Sequence, residues 1–299
     1  MPIKNRFANA ALLASVISLA SCGAGEKMNI DGRLIYTGGG GSIDAINLGA
    51  FDPDINLVYE GKKSGASVQQ LTKINNGVFL FDKCLGSSGC TIHQYDLHTS
   101  RSRMVRSGRL PSYVKNHDKL FFYDKSDDGK NWLFAAPLED LHGAEKVAME
   151  PEWRTLPNGV KQSIAFPPIQ VSEDTVIYIG DDAELFLYNI LSAEVISTKI
   201  GNCHPLQWLE SHSRLLCADW NTWNPFLLDL TNNNRIHLSE LQGAYNFVYV
   251  PKMDTLIYGK PRSYFIIGEA HDIFSYSLSD RKEIRIKKNA HITSGIWVE

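Results

Sequence analysis

Six similar segments divide the chain of 299 residues into units of comparable length. The segments are rich in β-branched and aromatic residues, and four of them end in Asp or Asn followed by Leu or Ile. They cover residues 42–48, 91–97, 132–138, 184–190, 225–230 and 272–278. Their ends lie 40 to 52 residues apart, which is the length of one supersecondary unit in a repeat protein.

Three other kinds of segment accompany these runs. A dense apolar segment precedes each run across a short polar turn, at residues 33–37, 78–82, 120–124, 176–179, 215–219 and 256–258. A more polar segment follows the run at residues 101–105, 194–200, 235–238 and 283–286. A fourth kind precedes the apolar one at residues 68–74, 111–114, 169–171, 205–209 and 247–250. Four short antiparallel strands, apolar in the middle and polar at the outer edge, predict the blade of a β-propeller.

The two ends of the repeat region predict how the ring closes. The first unit lacks its innermost strand, because residues 22–32 have the composition of a polar tether. Residues 291–299 resemble an innermost strand that no further unit follows. We therefore expect an all-β, six-bladed β-propeller over residues 33–299, in which the C-terminal strand joins the first blade and makes Ile296 and Trp297 structurally critical. Five or seven blades, or a β-sandwich, are the alternatives.

The fourth unit resembles the repeat of TolB-like (WD40-like) β-propellers. Residues 172–179 read Ser-Glu-Asp-Thr-Val-Ile-Tyr-Ile, and residues 184–190 read Glu-Leu-Phe-Leu-Tyr-Asn-Ile. A polar turn thus precedes a second strand, and a third strand ends in an aromatic residue, Asn and Ile. The resemblance extends over nearly all of residues 33–299, and among the parts of TolB it concerns the propeller alone. It implies this fold and not a role in the Tol–Pal system.

The N-terminal residues predict export. Lys4 and Arg6 form a short basic region, and residues 7–19 are an apolar run. This run is too short to span about 30 Å of hydrocarbon as a helix, and its place suits a signal peptide. We therefore interpret residues 1–21 as a cleaved signal peptide.

The same region predicts a lipid anchor. Residues 19–22 read Leu-Ala-Ser-Cys, which resembles the lipobox of bacterial lipoproteins. The resemblance implies cleavage before Cys22, acylation of its thiol with chains such as palmitate, and a lipidated tether over residues 22–32. Gly23 favours the outer membrane over the inner one, with the protein on the periplasmic side. An ordinary signal peptide with a chance cysteine is the alternative.

The other four cysteines are candidates for two disulfides, as an oxidising compartment would permit. Cys84 and Cys90 flank a short turn between two predicted strands, so a bridge there would close the mouth of a hairpin. Cys203 and Cys217 lie on the next candidate hairpin. Antiparallel counting through residues 211–213 places Cys217 opposite Leu206, which leaves this pair about three residues out of register. Buried free thiols are the alternative.

Three loops are longer or more aromatic than a minimal blade requires, and all three are predicted to reach one face of the ring. They are residues 150–168, with Trp153 and Arg154; residues 261–271, with Arg262, Tyr264 and His271; and the turn that carries Trp220 and Trp223. Exposed Trp, Tyr and Arg residues are enriched in binding hot spots. In the alternative interpretation these aromatic residues cover the hydrophobic underside of their own loops.

Three aspartates end the second strands near the same face. Asp82, Asp124 and Asp219 occupy equivalent positions, where they could bind a cation or a basic partner. In the alternative interpretation they are solvated strand ends.

Composition and the absence of motifs exclude several classes of function. A net charge of −3 without a basic stripe argues against nucleic-acid binding. No common hydrolase, phosphate-binding or metal motif occurs, and a lone histidine such as His204 is more often packed than a ligand. We therefore predict neither a metal nor a cofactor, and expect a non-enzymatic scaffold that binds a protein partner in the cell envelope. The alternative is a carbohydrate-binding protein, hydrolase or lyase that uses the central funnel, which would require two or more acids and an Arg or His at the ring axis.

Overall fold

The computed structural model of the protein describes residues 32–38, 42–47, 55–60, 66–86, 89–152, 154–155, 161–162, 165–180, 183–262 and 270–299. These residues form six four-stranded antiparallel sheets arranged as the blades of a β-propeller. The predicted fold is thereby confirmed. The predicted signal peptide and Cys22 lie outside the described residues, so lipidation stays a prediction.

Each blade has four strands, from the innermost at the ring axis to the outermost at the rim. Blade 1 consists of β26 (Ser294–Val298), β1 (Arg33–Thr37), β2 (Ser42–Asn47) and β3 (Ile55–Glu60), and blade 2 of β4 (Leu71–Lys73), β5 (Val78–Cys84), β6 (Cys90–Asp96) and β7 (Arg101–Ser107). Blade 3 consists of β8 (Arg109–Val114), β9 (Lys119–Lys125), β10 (Asn131–Pro137) and β11 (Glu145–Met149), and blade 4 of β14 (Ile169–Ser172), β15 (Thr175–Ile179), β16 (Leu185–Asn189) and β17 (Val195–Ser197). Blade 5 consists of β18 (His204–Leu209), β19 (Arg214–Ala218), β20 (Pro225–Leu228) and β21 (Arg235–His237), and blade 6 of β22 (Tyr245–Val250), β23 (Thr255–Arg262), β24 (Ala270–Ser277) and β25 (Lys282–Lys287).

The remaining elements are short. A two-stranded hairpin, β12 (Arg154–Thr155) and β13 (Lys161–Gln162), lies in the predicted insert between blades 3 and 4. The 3-10 turns cover Lys115–His117, Leu141–Gly143, Glu210–His212, Ser239–Leu241 and Pro251–Met253. Within the described ranges, no helix has the length and apolar character needed to cross a membrane.

The hydrophobic core is divided into six clusters, one at each interface between neighbouring blades. Consecutive residues of a middle strand point to opposite neighbours, because side chains alternate along a strand. Leu215 packs in the cluster shared with blade 4, and Leu216 packs in the cluster shared with blade 6. The middle strands are therefore apolar on both faces, which explains the dense apolar runs in the sequence.

The C-terminal strand closes the ring as predicted. β26 pairs antiparallel with β1, with Leu34 opposite Trp297 and Ile35 opposite Ile296. Trp297 is buried in the cluster between blades 6 and 1, and Ile296 in the cluster between blades 1 and 2. Gly32 lies so close to the Trp297 indole that a Cβ at this position would overlap the ring. Closure thus depends on side chains that contact both neighbours of the first blade.

One outer strand departs from the expected polar pattern. In β17 of blade 4, Val195 and Ile196 are exposed, and Leu191 is exposed in the turn before them. The outer strands β7, β11, β21 and β25 each carry charged residues, whereas β17 reads Val-Ile-Ser. The expectation of a polar outer edge is therefore wrong for blade 4.

Both predicted disulfides are present. Cys84 and Cys90 are directly opposite each other at the end of the β5–β6 hairpin. Cys203 bonds Cys217, although register counting placed them apart. A β-bulge between Pro205 and Gln207 shifts the register, so that Cys217 lies opposite Pro205. The offset becomes two residues instead of three, and an even offset brings both thiols to the same face of the sheet.

The ring has two distinct faces. We define the loop face as the one that carries the links between second and third strands and the links between blades. The turn face carries the links between first and second strands, such as the 3-10 turns Lys115–His117 and Glu210–His212. All innermost strands run from the loop face to the turn face, since every blade has the same strand order.

Candidate functional site

Asp82 is a structural anchor of the loop face. Its side chain is fully buried. The Oδ1 atom accepts hydrogen bonds from the backbone N–H groups of Gln69 and Gln70, with N to Oδ1 distances of 2.8 Å. The Oδ2 atom accepts one from the backbone N–H of Leu110, with an N to Oδ2 distance of 3.0 Å. Burial raises the pKa of this carboxyl, and the three backbone donors oppose that rise. Asp82 thus joins the starts of the innermost strands of blades 2 and 3, and is not the solvated strand end of the alternative interpretation.

The two equivalent aspartates, Asp124 and Asp219, accept hydrogen bonds from neighbouring residues of the protein. Asp124 accepts hydrogen bonds from the side chains of Ser107 and Arg106. Asp219 accepts bonds from backbone N–H groups of its own turn. No cluster of three or more His, Cys, Asp or Glu residues that could hold a metal ion occurs in the described part of the chain. The three aspartates therefore do not converge on a cation.

Asp219 fixes the turn that carries the two tryptophans. Its Oδ1 accepts hydrogen bonds from the backbone N–H groups of Asn221 and Thr222, both 2.9 Å, and its carbonyl accepts one from Trp223, 2.8 Å. Burial raises the pKa of the Asp219 carboxyl, but the hydrogen bonds from Thr222 and Asn221 outweigh this and hold the pKa below its usual value. The carboxylate form, which accepts these bonds, is thereby favoured.

The two indoles of this turn have different environments. Trp220 is 2% exposed and packs into the cluster between blades 4 and 5, so it supports the loop face from beneath and presents almost no surface to solvent. This corrects the expectation that both indoles lie on the surface. Trp223 is 39% exposed, with its ring centroid 6.0 Å from that of Trp220.

A buried histidine supports Trp223. The ring centroid of His204 lies 4.8 Å from that of Trp223 and 4.7 Å from that of Trp220. Burial of His204 lowers its pKa to about 3, so the imidazole stays neutral at physiological pH. Phe166, from the insert between blades 3 and 4, packs against the same imidazole. We call Phe166, His204, Trp220 and Trp223 the aromatic cluster.

His271 belongs to a second group on the loop face. Its Nδ1 is hydrogen-bonded to the Tyr245 hydroxyl, and its ring centroid lies 4.6 Å from that of His291. Burial and the neighbouring His271 lower the pKa of His291, while its hydrogen bond to the Gly38 carbonyl raises it. His271 was apparent from the sequence, whereas Tyr245 and His291 were not, because Tyr245 begins β22 of blade 6 and His291 precedes β26 of blade 1.

The other predicted binding residues fall largely outside the described part. Trp153 and Tyr264 are not among the described residues. Arg154 lies in β12 and Arg262 ends β23, but only their backbones are described. Phe166 shows that the insert and the tryptophan turn meet on one face, as predicted for these two loops.

A central cavity of about 440 Å³ runs along the ring axis. Every innermost strand contributes to its wall, which combines amide side chains with aromatic ones such as Trp208 and Tyr249. Its charged lining residues are Lys73, Glu210 and Glu299. The cavity thus contains the two acids that the catalytic alternative requires, whereas its lining, within the described ranges, contains neither Arg nor His.

Comparisons with known proteins identify the fold. No protein-family model matches the chain, and no curated protein matches it. The crystal structure of TolB from Acinetobacter baumannii superposes with a TM-score of 0.65 at 10% sequence identity, covering 91% of this chain and 67% of that one. A structure of a nidogen/laminin complex gives a TM-score of 0.64 at 11% identity, covering 90% and 99% of the two chains.

A third structure supports the same assignment. A putative TolB from Agrobacterium tumefaciens gives a TM-score of 0.62 at 10% identity, covering 89% of this chain and 94% of that one. At such low identity the similarity concerns the fold alone. The described residues of this chain form a six-bladed β-propeller, the fold that these TolB structures also have.

Proposed function

We propose that this protein is a membrane-anchored, non-enzymatic scaffold that binds a protein partner through the loop face around Trp223. The observation that carries the proposal is the combination of exposure and rigidity at this residue. Trp223 presents a large part of its indole to solvent, while Asp219 and His204 hold it in place. A rigid exposed Trp loses little entropy on binding and is typical of interface hot spots.

The backbone of Trp223 supports the same interpretation. Its φ is 58°, in the left-handed region that bulky residues rarely adopt. A non-glycine residue there costs about 1–2 kcal/mol, and glycine would avoid that cost. Such strain is common at sites where it serves a function. Ala193 and Asn233 have similar φ values in other turns of the ring, so this conformation belongs to the turn, and Trp223 is the residue that the turn presents.

The point at which the chain enters the ring is compatible with a membrane anchor. Arg33 begins β1 opposite Val298, at the turn face. A lipid on Cys22 would thus attach the protein from that side, and the loop face would lie on the opposite side of the ring. A tether over residues 22–32 would span at most about 36–40 Å when fully extended. We propose that the protein is anchored in the outer membrane with the loop face free to bind.

The docking proposal predicts site-specific crosslinking in cells. A photo-crosslinking amino acid at Asn221, an exposed neighbour of Trp223, is expected to give one discrete adduct with a partner protein. Trp223→Gly should reduce that adduct at least about tenfold, because loss of a hot-spot side chain costs about 2 kcal/mol or more. Glycine suits the left-handed backbone, so thermal stability should not fall. The measurement is immunoblotting and mass spectrometry of the adduct.

Asn232 provides the matched control. It is an exposed asparagine in a turn of the same blade, on the turn face. The same crosslinker at Asn232 should give no equivalent adduct. An adduct that persists in Trp223→Gly, or that forms equally at both positions, would exclude the loop face as the docking surface, and so would the lack of any adduct at Asn221.

The anchoring proposal predicts a separate result. The wild-type protein should incorporate an alkyne analogue of palmitate and fractionate with membranes, and Cys22→Ser should do neither. Cys203 and Cys217 are joined in a buried disulfide, so their double replacement by alanine should leave labelling intact and serves as the cysteine control. Equal labelling of Cys22→Ser would contradict lipidation at this residue.

A further inference from the structure

Lys73 is a half-buried cation in the wall of the central cavity. It ends β4, and its side chain lines the central cavity. Among the described residues, no carboxylate oxygen lies within 4.0 Å of its ammonium group. Partial burial removes part of the hydration of this ammonium group, so an anion bound in the cavity would compensate for that loss.

Charges of both signs surround Lys73. Burial lowers the pKa of Lys73; among the nearby charges Glu299, with the largest effect, raises it, and Lys115 and Lys252 lower it. All four residues lie at the turn-face end of the ring, where the innermost strands end. The carboxylate of Glu299 is bonded to Lys252, with Nζ to Oε2 at 2.7 Å. The Glu299 carboxylate is therefore held by Lys252 and does not form an ion pair with Lys73.

We propose that the turn-face end of the central cavity binds the carboxylate of a small organic monoanion, with Lys73 as the ligand-binding cation. A ligand carboxylate would pair with the Lys73 ammonium and offset the cost of its burial. Glu210 and Glu299 also line the cavity, and their charges oppose a second negative charge on the ligand. The site should therefore prefer a carboxylate to a phosphate dianion.

The other residues that line the cavity indicate what the uncharged part of the ligand should be. Gln207 provides an amide donor and acceptor, whereas the amide nitrogens of Gln70 and Gln170 already bond backbone carbonyls of the protein. Tyr113 and Trp208 add aromatic surface. Polar and aromatic groups in this combination suit a neutral, hydroxyl-rich or amide-containing body. A volume of about 440 Å³ falls within the range of ordinary small-molecule pockets, about 300–1,000 Å³.

This inference goes beyond the docking proposal and is independent of it. The loop-face site depends on Trp223, whereas the anion site depends on Lys73 at the opposite end of the ring. Failure of one experiment therefore does not affect the other.

The test is competitive acetylation of lysines, read by mass spectrometry, with acetate and gluconate as probes. Acetamide and glucose serve as their neutral counterparts, with sodium chloride added to equal ionic strength. Gluconate and acetate are expected to reduce acetylation of Lys73 at least about fivefold, and the neutral compounds should have no effect. Lys115, which is exposed at the same face, should be acetylated equally in all samples.

Calorimetric titration of gluconate with variants completes the test. Lys73→Met should abolish binding, and Lys115→Met, which removes an exposed lysine of the same cluster, should reduce it less than about threefold. The proposal is wrong if neither carboxylate protects Lys73 relative to its neutral counterpart. It is also wrong if inorganic phosphate protects Lys73 as well as gluconate does, or if Lys115→Met abolishes binding as completely as Lys73→Met.

Discussion

Replacing Trp297 with alanine is expected to lower the free energy of unfolding by about 3–5 kcal/mol, the range for removal of a buried Trp or Phe side chain. Trp297 is 7% exposed and packs in the cluster between blades 6 and 1, beside Leu34 and Ile292. Its strand, β26, joins the C-terminal end of the chain to the first blade. The substitution would thus create a cavity at the place where the ring closes. Urea unfolding followed by circular dichroism measures the effect.

Trp223→Ala is the matched control for this prediction. It removes the same side chain from a position that is 39% exposed and outside the buried clusters, so we expect a change of less than about 1 kcal/mol. If both variants lost the same stability, packing of the closing strand would not be what stabilises the ring. An unchanged unfolding midpoint for Trp297→Ala would lead to the same conclusion.

The architecture was predictable because a propeller imposes two regularities on its sequence. Each middle strand lies between two neighbours, so residues such as Leu215 and Leu216 are both buried although they point in opposite directions. This produces the unbroken apolar runs that distinguish these strands from half-buried ones. The absence of an innermost strand from the first unit also left one place for the C-terminal residues, and β26 occupies it.

Local irregularities were not predictable. Counting residues assumes an uninterrupted ladder, and nothing in the sequence around Pro205 and Gln207 marks the bulge that brings Cys203 to Cys217. Similarly, the outer position of β17 follows from the repeat, but its exposed Val195 and Ile196 have the composition of a buried strand. The periodicity of the sequence therefore predicts where the strands lie. It does not predict the strand register or the exposure of single residues.

The candidate sites were only partly predictable, for a geometric reason. Trp220 and Trp223 lie on one turn, and only the fold shows that one is buried and the other exposed. The central cavity brings together residues that are far apart in the chain, such as Lys73 and Glu299. Residues from different blades meet there only in three dimensions, so one sequence without the fold cannot reveal which charges lie close together.

The second large effect is expected at Asp82. Replacing it with alanine should lower the free energy of unfolding by about 3–5 kcal/mol, because three backbone N–H groups lose their acceptor at once, and each costs about 1–3 kcal/mol where it is shielded from water. The donors belong to Gln69, Gln70 and Leu110, and they connect blades 2 and 3. Leu110 has a φ of 52°, so its bond to Asp82 also holds a strained backbone in place.

Two further variants make this prediction specific. Asp82→Asn keeps one acceptor oxygen for Gln69 and Gln70 but turns an amide N–H₂ group toward the Leu110 N–H, so we expect about half the loss. Asp124→Ala, at the equivalent position of blade 3, should cost less than about 1 kcal/mol, because Asp124 accepts from the side chains of Ser107 and Arg106 near solvent. Urea unfolding of the three variants ranks these losses. If Asp82→Ala and Asp124→Ala were equally destabilised, the buried carboxylate would not be the anchor between the blades, since the two positions differ chiefly in burial and in the donors they accept.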